Sequence, residues 1–225
     1  MHVVVYVLCF DDESEGLARA SFGSEAWARI LRIETTLWLE NIVFERLLEE
    51  HRDEWKGAEY VGTISYKANE KMGAWSMEDA YRRAKGQDAD VIALKTHFGD
   101  SMLPTAEHHH PGFCGLWFDW LAELRISGSV ATMSGAGSPF YCNYWLAKPE
   151  WMDRYIAFFR RAQEALIRTP HLQDRLWADS RYAGRMPEDR RMEVFGRAYY
   201  PFHTFLLERL PNLFFHMEGA LVFHR

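Results

Sequence analysis

The sequence predicts an α/β protein with a central, mostly parallel sheet flanked by helices. Three observations carry that reading. Short runs rich in β-branched residues recur at 3–10, 60–66 and 89–95, and segments of helical spacing separate them. The first run begins almost at residue 1, which suits a central strand. These runs are apolar on both alternations, the pattern of strands covered on both faces by crossover helices.

The elements follow in order. Residues 3–10 form the first strand, and Asp11, Asp12, Glu13 and Ser14 form an acidic exit from it. Residues 26–33 read as a short helix or connector. Residues 37–55 read as one helix, with Leu39, Ile42, Val43, Leu47 and Leu48 at helical spacing and Gly57 as its stop. A strand at 60–66 comes next. Ser76 caps a helix over 77–85, with Asp79 in the N3 slot and Gly86 at its end. The strand at 89–95 completes the alternation.

The middle of the chain is less regular. Residues 98–111 read as a loop holding Pro104 and the run His108, His109, His110, and 112–125 as a helix. The Gly- and Ser-rich stretch 127–139 reads as a turn or mobile loop. Residues 140–147 form a strand, and Pro149 opens a helix over 150–167. A polar connector with short helical pieces covers 169–188. A helix at 203–210 is halted by Pro211, and 220–224 form a final strand.

Composition bounds the function. The chain has 225 residues, 48% hydrophobic and 26% charged, enough for one sizeable core, and it is read as one domain over 1–225. A net charge of −6 argues against a broad nucleic-acid surface. Cys9, Cys114 and Cys142 are odd in number and widely spaced, which suits free thiols in a reducing, cytoplasmic setting. The apolar run 3–10 is too short to span a bilayer and lacks the flanks of a signal peptide. Nine Trp within a 15% aromatic share serve either the core or flat platforms for sugars and bases, the core being the commoner use.

The stretch 60–72 carries the most chemistry. Its strand ends in Ser65, Tyr66 and Lys67, with Lys71 four residues on. Two hydroxyls and two cations at the carboxyl end of a parallel strand suit a bound phosphate, against the plainer alternative of a core strand followed by a solvated lysine loop. Lys95, His97 and Asp100 leave the end of the next strand and face the same crevice. Asp88 and Asp90 form a DxD pair, a motif that can hold Mn2+ or Mg2+ against a diphosphate. They precede their strand, however, at the end opposite the crevice, where a solvated turn is the favoured reading. The three consecutive histidines do not converge on one ion in regular structure, and His216 and His224 stand alone. No GxSxG, HExxH, P-loop or GxGxxG pattern is present, which weakens the corresponding hydrolase, zincin, kinase and dehydrogenase readings.

Taken together, VVVYVLCF, TTLWLEN, YVGTISYK, ADVIALK, FYCNYWLAKPEWMDRYIAFF and FHTFLLERLPNLFF resemble glycosyltransferases of the GT-A fold. The likeness is to the N-terminal glycosyltransferase domain encoded by large chlorella viruses and to bacterial capsular-polysaccharide glycosyltransferases. It spans nearly the whole chain as a series of short patterns. It implies a GT-A-like domain, alone or within a larger multi-domain glycosyltransferase, that takes a nucleoside-diphosphate sugar, with uridine as its base, and a glycan hydroxyl as acceptor. Carried over by position, Phe10 and Asp11 lie beside the nucleotide, and Ser65, Tyr66, Lys67 and Lys71 beside the diphosphate. Asn143, Tyr144 and Trp145 lie near the sugars, and Glu208 near the reacting centre, where a carboxylate activates the acceptor. The missing strand-terminal DxD leaves a Mn2+ or Mg2+ cofactor in question. A non-catalytic nucleotide-sugar- or carbohydrate-binding module and another nucleotide-dependent α/β transferase, such as a nucleotidyltransferase, remain the alternatives.

Overall fold

The computed structural model describes residues 1–34, 38–133, 138–182, 184 and 186–225. Thr35, Thr36 and Leu37, which open the TTLWLEN pattern and the expected helix 37–55, lie outside the described residues, as do 134–137 within 127–139 and Ala183 and Arg185 within 169–188.

Six strands form one mixed sheet: β1 (Val3–Cys9), β2 (Ala28–Arg32), β3 (Tyr60–Ser65), β4 (Val91–Ala93), β5 (Trp145–Ala147) and β6 (Val222–His224), in the order β2-β1-β3-β5-β4-β6. β1 pairs in parallel with β2 and β3, and β4 in parallel with β6. β5 runs antiparallel to both neighbours, β3 and β4. The five other strands therefore share one direction, as a mostly parallel α/β sheet requires.

Helices cover both faces. Val3, Val5, Val7, Ile64, Ile92 and Leu146 meet α1 (Asp12–Phe22), α4 (Ala68–Met72) and α5 (Met77–Gly86) on one side. Tyr6, Leu8, Val61 and Trp145 meet α7 (Phe113–Glu123), α9 (Pro149–Arg168), α10 (Pro170–Leu176) and α12 (Phe202–Glu218) on the other. This two-sided cover explains why β1 and β3 are buried at every residue.

Several expectations hold. Ser76 caps α5, its hydroxyl accepting the Asp79 N–H at 3.3 Å. Pro149 opens α9, where its missing N–H and fixed φ fit the first turn.

Others are corrected. The acidic exit after β1 is the start of a helix. Asp11 caps α1, with its carboxylate on the Ser14 N–H at 2.8 Å and the Ser14 hydroxyl on the Asp11 N–H at 2.9 Å. Residues 28–32 are an edge strand rather than a helix or connector, because β1 needs a partner on its outer side. The stretch 38–55 is helical but broken into a 3-10 turn (Leu39–Asn41), a π-helical segment (Val43–Leu47), α2 (Leu48–Glu50) and α3 (Arg52–Trp55). Residues 98–111 contain α6 (Met102–His109), with Pro104 in its first turn, where proline costs no hydrogen bond. Residues 127–139 contain α8 (Gly128–Met133). The strand at 140–147 shortens to β5 because Cys142 and Asn143 adopt φ of 64° and 55° and turn the chain. Past α11 (Glu188–Phe195), α12 runs through Pro211 to Glu218. It is buried almost all round, and that burial outweighs the roughly 3 kcal/mol that an internal proline costs.

Gly62 sits where β3 passes closest to β5. A Cβ there would strike the Trp145 carbonyl and lie 2.7 Å from the Leu146 Cα, both backbone. Gly62→Ala is expected to lower stability by about 3 kcal/mol, read from the urea midpoint at constant slope. A variant as stable as the parent would show that the sheet can open at this point.

Candidate functional site

Parallel strands deliver their last residues to one end of the sheet, and the crevice lies where the strand order reverses. Here that point is between β1 and β3, because the chain goes outward from β1 to β2 and then crosses to β3 on the other side. Since β5 runs the other way, its first residues arrive at the same end. Following the strand order, Phe10 and Asp11 leave β1, Tyr66 and Lys67 leave β3, Asn143 and Tyr144 enter β5, and Lys95 lies beyond β4.

The contacts bear out this convergence. Phe10 meets Tyr66 edge to face at 6.4 Å between ring centres. Ser65 is buried, with its hydroxyl paired to the Tyr144 hydroxyl. The Lys67 ammonium lies over the Tyr66 ring at 5.4 Å and that of Lys71 over Tyr144 at 5.2 Å. Lys95 Nζ is 3.8 Å from Cys142 Sγ. Buried Asn143 donates its side-chain amide to Asn41 Oδ1 at 3.1 Å, and its carbonyl accepts the Thr63 hydroxyl at 2.7 Å. From α12, Glu208 Oε1 accepts the Cys142 N–H at 2.7 Å, and Oε2 accepts Arg209 Nη1 at 3.0 Å. The strand ends thus bring Phe10, Ser65, Tyr66, Lys67, Lys71, Lys95, Asn143, Tyr144 and Glu208 to one end of the sheet, while the Asp11 carboxylate is engaged in capping α1. His97 and Asp100 instead pair with each other at 3.5 Å, with His97 against Tyr141, and Trp145 points into the core and stacks on Phe44 at 5.3 Å.

Reasoning from sequence missed Glu40. It lies in the 3-10 turn beside Asn41, partly exposed. Desolvation pushes its carboxyl above the ordinary range; Lys71 opposes that push and Glu208 adds to it. Desolvation of the Lys71 ammonium works against its charge, but Glu40 and Tyr144 hold it above the usual lysine range. Lys71 therefore stays charged. Burial, aided by Glu208, raises the Cys142 thiol to about 11, so at neutral pH it is no thiolate nucleophile. The segment's signal was faint, because a single Glu in an apolar helical pattern reads as a surface residue.

Asp88 and Asp90 lie at the other end of the sheet. Lys148 Nζ stands between them at 3.0 and 3.1 Å, and Asp90 Oδ2 also accepts the Leu221 N–H at 3.0 Å. An ammonium already holds the place a divalent ion would take. A cavity of about 300 Å3 opens at this same end, lined by Tyr60, Lys85, Asp88, Lys148 and Glu150 among others. Its lysines are paired, Lys148 with the two aspartates and Lys85 with Glu59, so it offers a ligand little open positive charge. Among the described residues no group of three or more His, Cys, Asp or Glu is placed to hold a metal ion. Nor, among them, is any helix long and apolar enough to cross a membrane.

No protein-family model and no curated protein matches the chain. Among solved structures it is similar to one described as the apo form of the WbbM bifunctional glycosyltransferase, at 14% identity and a TM-score of 0.46. The match covers 100% of this chain and 44% of that one, so the chain spans less than half of that structure's length. A likeness this distant carries no argument about activity.

Behind the crevice, His110 is buried against Phe205, with ring centres 3.9 Å apart. Burial, reinforced by the nearby Arg209 guanidinium, lowers its pKa to about 4. An unfolded chain takes up this proton below about pH 6.5, and the folded protein only near pH 4. Stability should therefore fall as pH drops from 6.5 towards 4 and lose no more through this group below that. His110→Phe is expected to remove about 2–3 kcal/mol of that acid-side loss, measured as urea midpoints at pH 7 and pH 4.5. An unchanged difference between the two pH values would place the loss elsewhere.

Proposed function

We propose that this chain is a glycosyltransferase domain that moves a sugar from a nucleoside-diphosphate donor, with uridine as the base, onto a glycan hydroxyl. One observation supports this above the others: Lys67, Lys71 and Lys95 converge with the carboxylates Glu40 and Glu208 at the carboxyl ends of the strands. A leaving diphosphate needs positive charge, and an attacking hydroxyl needs a carboxylate to take its proton. The free thiols Cys9, Cys114 and Cys142 are in keeping with a cytoplasmic setting.

In this reading the donor's nucleotide lies along the β1 exit, beside Phe10 and the aromatic face of Tyr66. Its diphosphate meets Lys67 and Lys71, with Ser65 and Tyr66 supplying hydrogen bonds. The acceptor oxygen attacks the anomeric carbon as the bond to the diphosphate breaks, and the hydroxyl proton passes to a carboxylate of the crevice. Asp88 and Asp90 do not fit a Mn2+ or Mg2+ ion, since Lys148 already bridges them. The charge of the leaving group is met by the lysines.

One observation favours a second reading, a binding module without turnover. Glu208, the carboxylate expected at the reacting centre, has both oxygens engaged by Cys142 and Arg209.

The test is UDP binding by calorimetry together with UDP release from a panel of UDP-sugars, with and without EDTA. Lys67→Ala and Lys71→Ala should each weaken UDP binding about tenfold, a change of about 1.4 kcal/mol. Asp88→Asn combined with Asp90→Asn should leave UDP affinity unchanged, with or without Mn2+. Full affinity in both lysine variants would sink the cationic cradle, and failure to bind any nucleotide sugar would sink the transferase and the module together.

A further inference from the structure

We infer that Glu208 is a positioning residue that holds the Cys142–Asn143 turn at the crevice, and that Glu40 is the carboxylate that takes the acceptor proton. The inference rests on the glycosyltransferase reading above and assigns two roles within it.

The turn is a place that needs holding. Cys142 and Asn143 are consecutive non-glycine residues in the left-handed region, at φ of 64° and 55°. Such residues persist only where their surroundings fix them. The fixing comes largely from one face of α12. Glu208 takes the Cys142 N–H at 2.7 Å. Asn212, one helical turn on, binds both sides of Phe140, accepting its N–H at 3.0 Å and donating to its carbonyl at 2.8 Å. Thr63 and Asn41 complete the hold on Asn143 from β3 and the 3-10 turn.

The same contacts occupy both oxygens of Glu208. Its second oxygen accepts from Arg209, whose buried guanidinium lies 5.5–5.8 Å from the ring centres of Phe113, Tyr141 and Phe205. With one donor on each oxygen, the carboxylate is directed towards the turn and Arg209 rather than towards an acceptor in the crevice.

Glu40 has the opposite setting. Its neighbour Leu39 adopts φ of 49°, turning the chain at the crevice rim. The residue is partly exposed, and its carboxylate accepts no hydrogen bond from the described residues. It faces Lys71 on α4, Glu208 on α12, and Cys142 and Tyr144 on the turn into β5. A carboxylate that is partly desolvated and has open lone pairs is what general-base transfer asks for. In the step, the acceptor oxygen bonds to the anomeric carbon while the carbon–oxygen bond to the diphosphate breaks. The acceptor's proton moves to Glu40, and the diphosphate leaves with the bonding pair, its charge facing Lys67 and Lys71. Glu40 then releases the proton to solvent.

The experiment compares Glu208→Gln, Glu208→Ala and Glu40→Gln in the full chain by UDP-sugar turnover, UDP calorimetry and thermal melting. Gln at 208 still offers an oxygen to Cys142, so kcat should fall less than about tenfold, whereas Ala should lower both kcat and the melting temperature. Glu40→Gln should keep the melting temperature and UDP affinity while kcat falls about 100-fold or more. A Glu208→Gln variant as inactive as Glu40→Gln, or an active Glu40→Gln, overturns the assignment. A parent protein that binds UDP without turnover for any donor removes the Glu40 role together with the transferase reading. The melting of Glu208→Ala against Glu208→Gln still decides the positioning role, and equal melting temperatures overturn it.

Discussion

The structure depends on the direction of β5. A strand that runs against its neighbours inside an otherwise parallel sheet must begin at the end where the others finish. The chain therefore passes through the crevice before entering β5, and it does so in a turn tight enough to put Cys142 and Asn143 in the left-handed region. Two consecutive non-glycine residues there carry a strain of order 1–3 kcal/mol each. The architecture offsets that strain with side chains drawn from α12, β3 and the 3-10 turn around Asn41. The crevice, the burial of α12 and the loss of freedom at Glu208 follow from this one reversal.

The same reversal explains the unusual composition of α12. A helix that must grip a strained turn on one side and fill the core on the other has little solvent-facing surface. Residues from Phe202 to Phe215 are almost all buried, including Arg209 and Asn212. Arg209 is tolerated inside because Glu208 and the Phe205 carbonyl accept from its Nη1 and three aromatic rings cover its guanidinium, although its buried Nε finds no partner among the described residues. Pro211 is tolerated in mid-helix because neighbouring turns are held by packing rather than by the ladder alone.

Much of the fold was legible because buried parallel strands write themselves as apolar runs. β1 and β3 carry that signature, and α5 and α9 are marked at their starts by the Ser76 cap and by Pro149. The edge strand β2 does not: its alternation of Arg29 and Arg32 around Ile30 and Leu31 reads equally as a helical turn, and only the open edge of β1 decides. The start of α1 was written in Asp11, its acidic first turn and Ser14, a capping pattern that an acidic loop imitates. At the site, Lys67 and Lys71 were legible from their place after a strand. Glu40 was not, because its role depends on a 3-10 turn followed by a π-helical segment, a departure from helical period that no spacing rule anticipates. Trp145 was misplaced for a simpler reason. In a three-residue strand one step in register moves a side chain from the crevice side to the core.

The contrast between the two ends of the sheet turns on where charge is left open. Asp88 and Asp90 form the more recognisable motif, yet Lys148 lies between them and the Leu221 N–H completes Asp90. Their charges are balanced within the protein, which makes them a clamp between β4, α9 and the chain before β6. At the carboxyl end the sums differ. Lys67 and Lys95 face no carboxylate within salt-bridge distance among the described residues, and Lys71 faces Glu40 without a direct hydrogen bond between them. Charge that a fold leaves unbalanced at a crevice must be balanced by something else, water and salt in the free protein or an anionic substrate when one binds. That asymmetry, rather than the presence of any motif, distinguishes the two ends of the sheet.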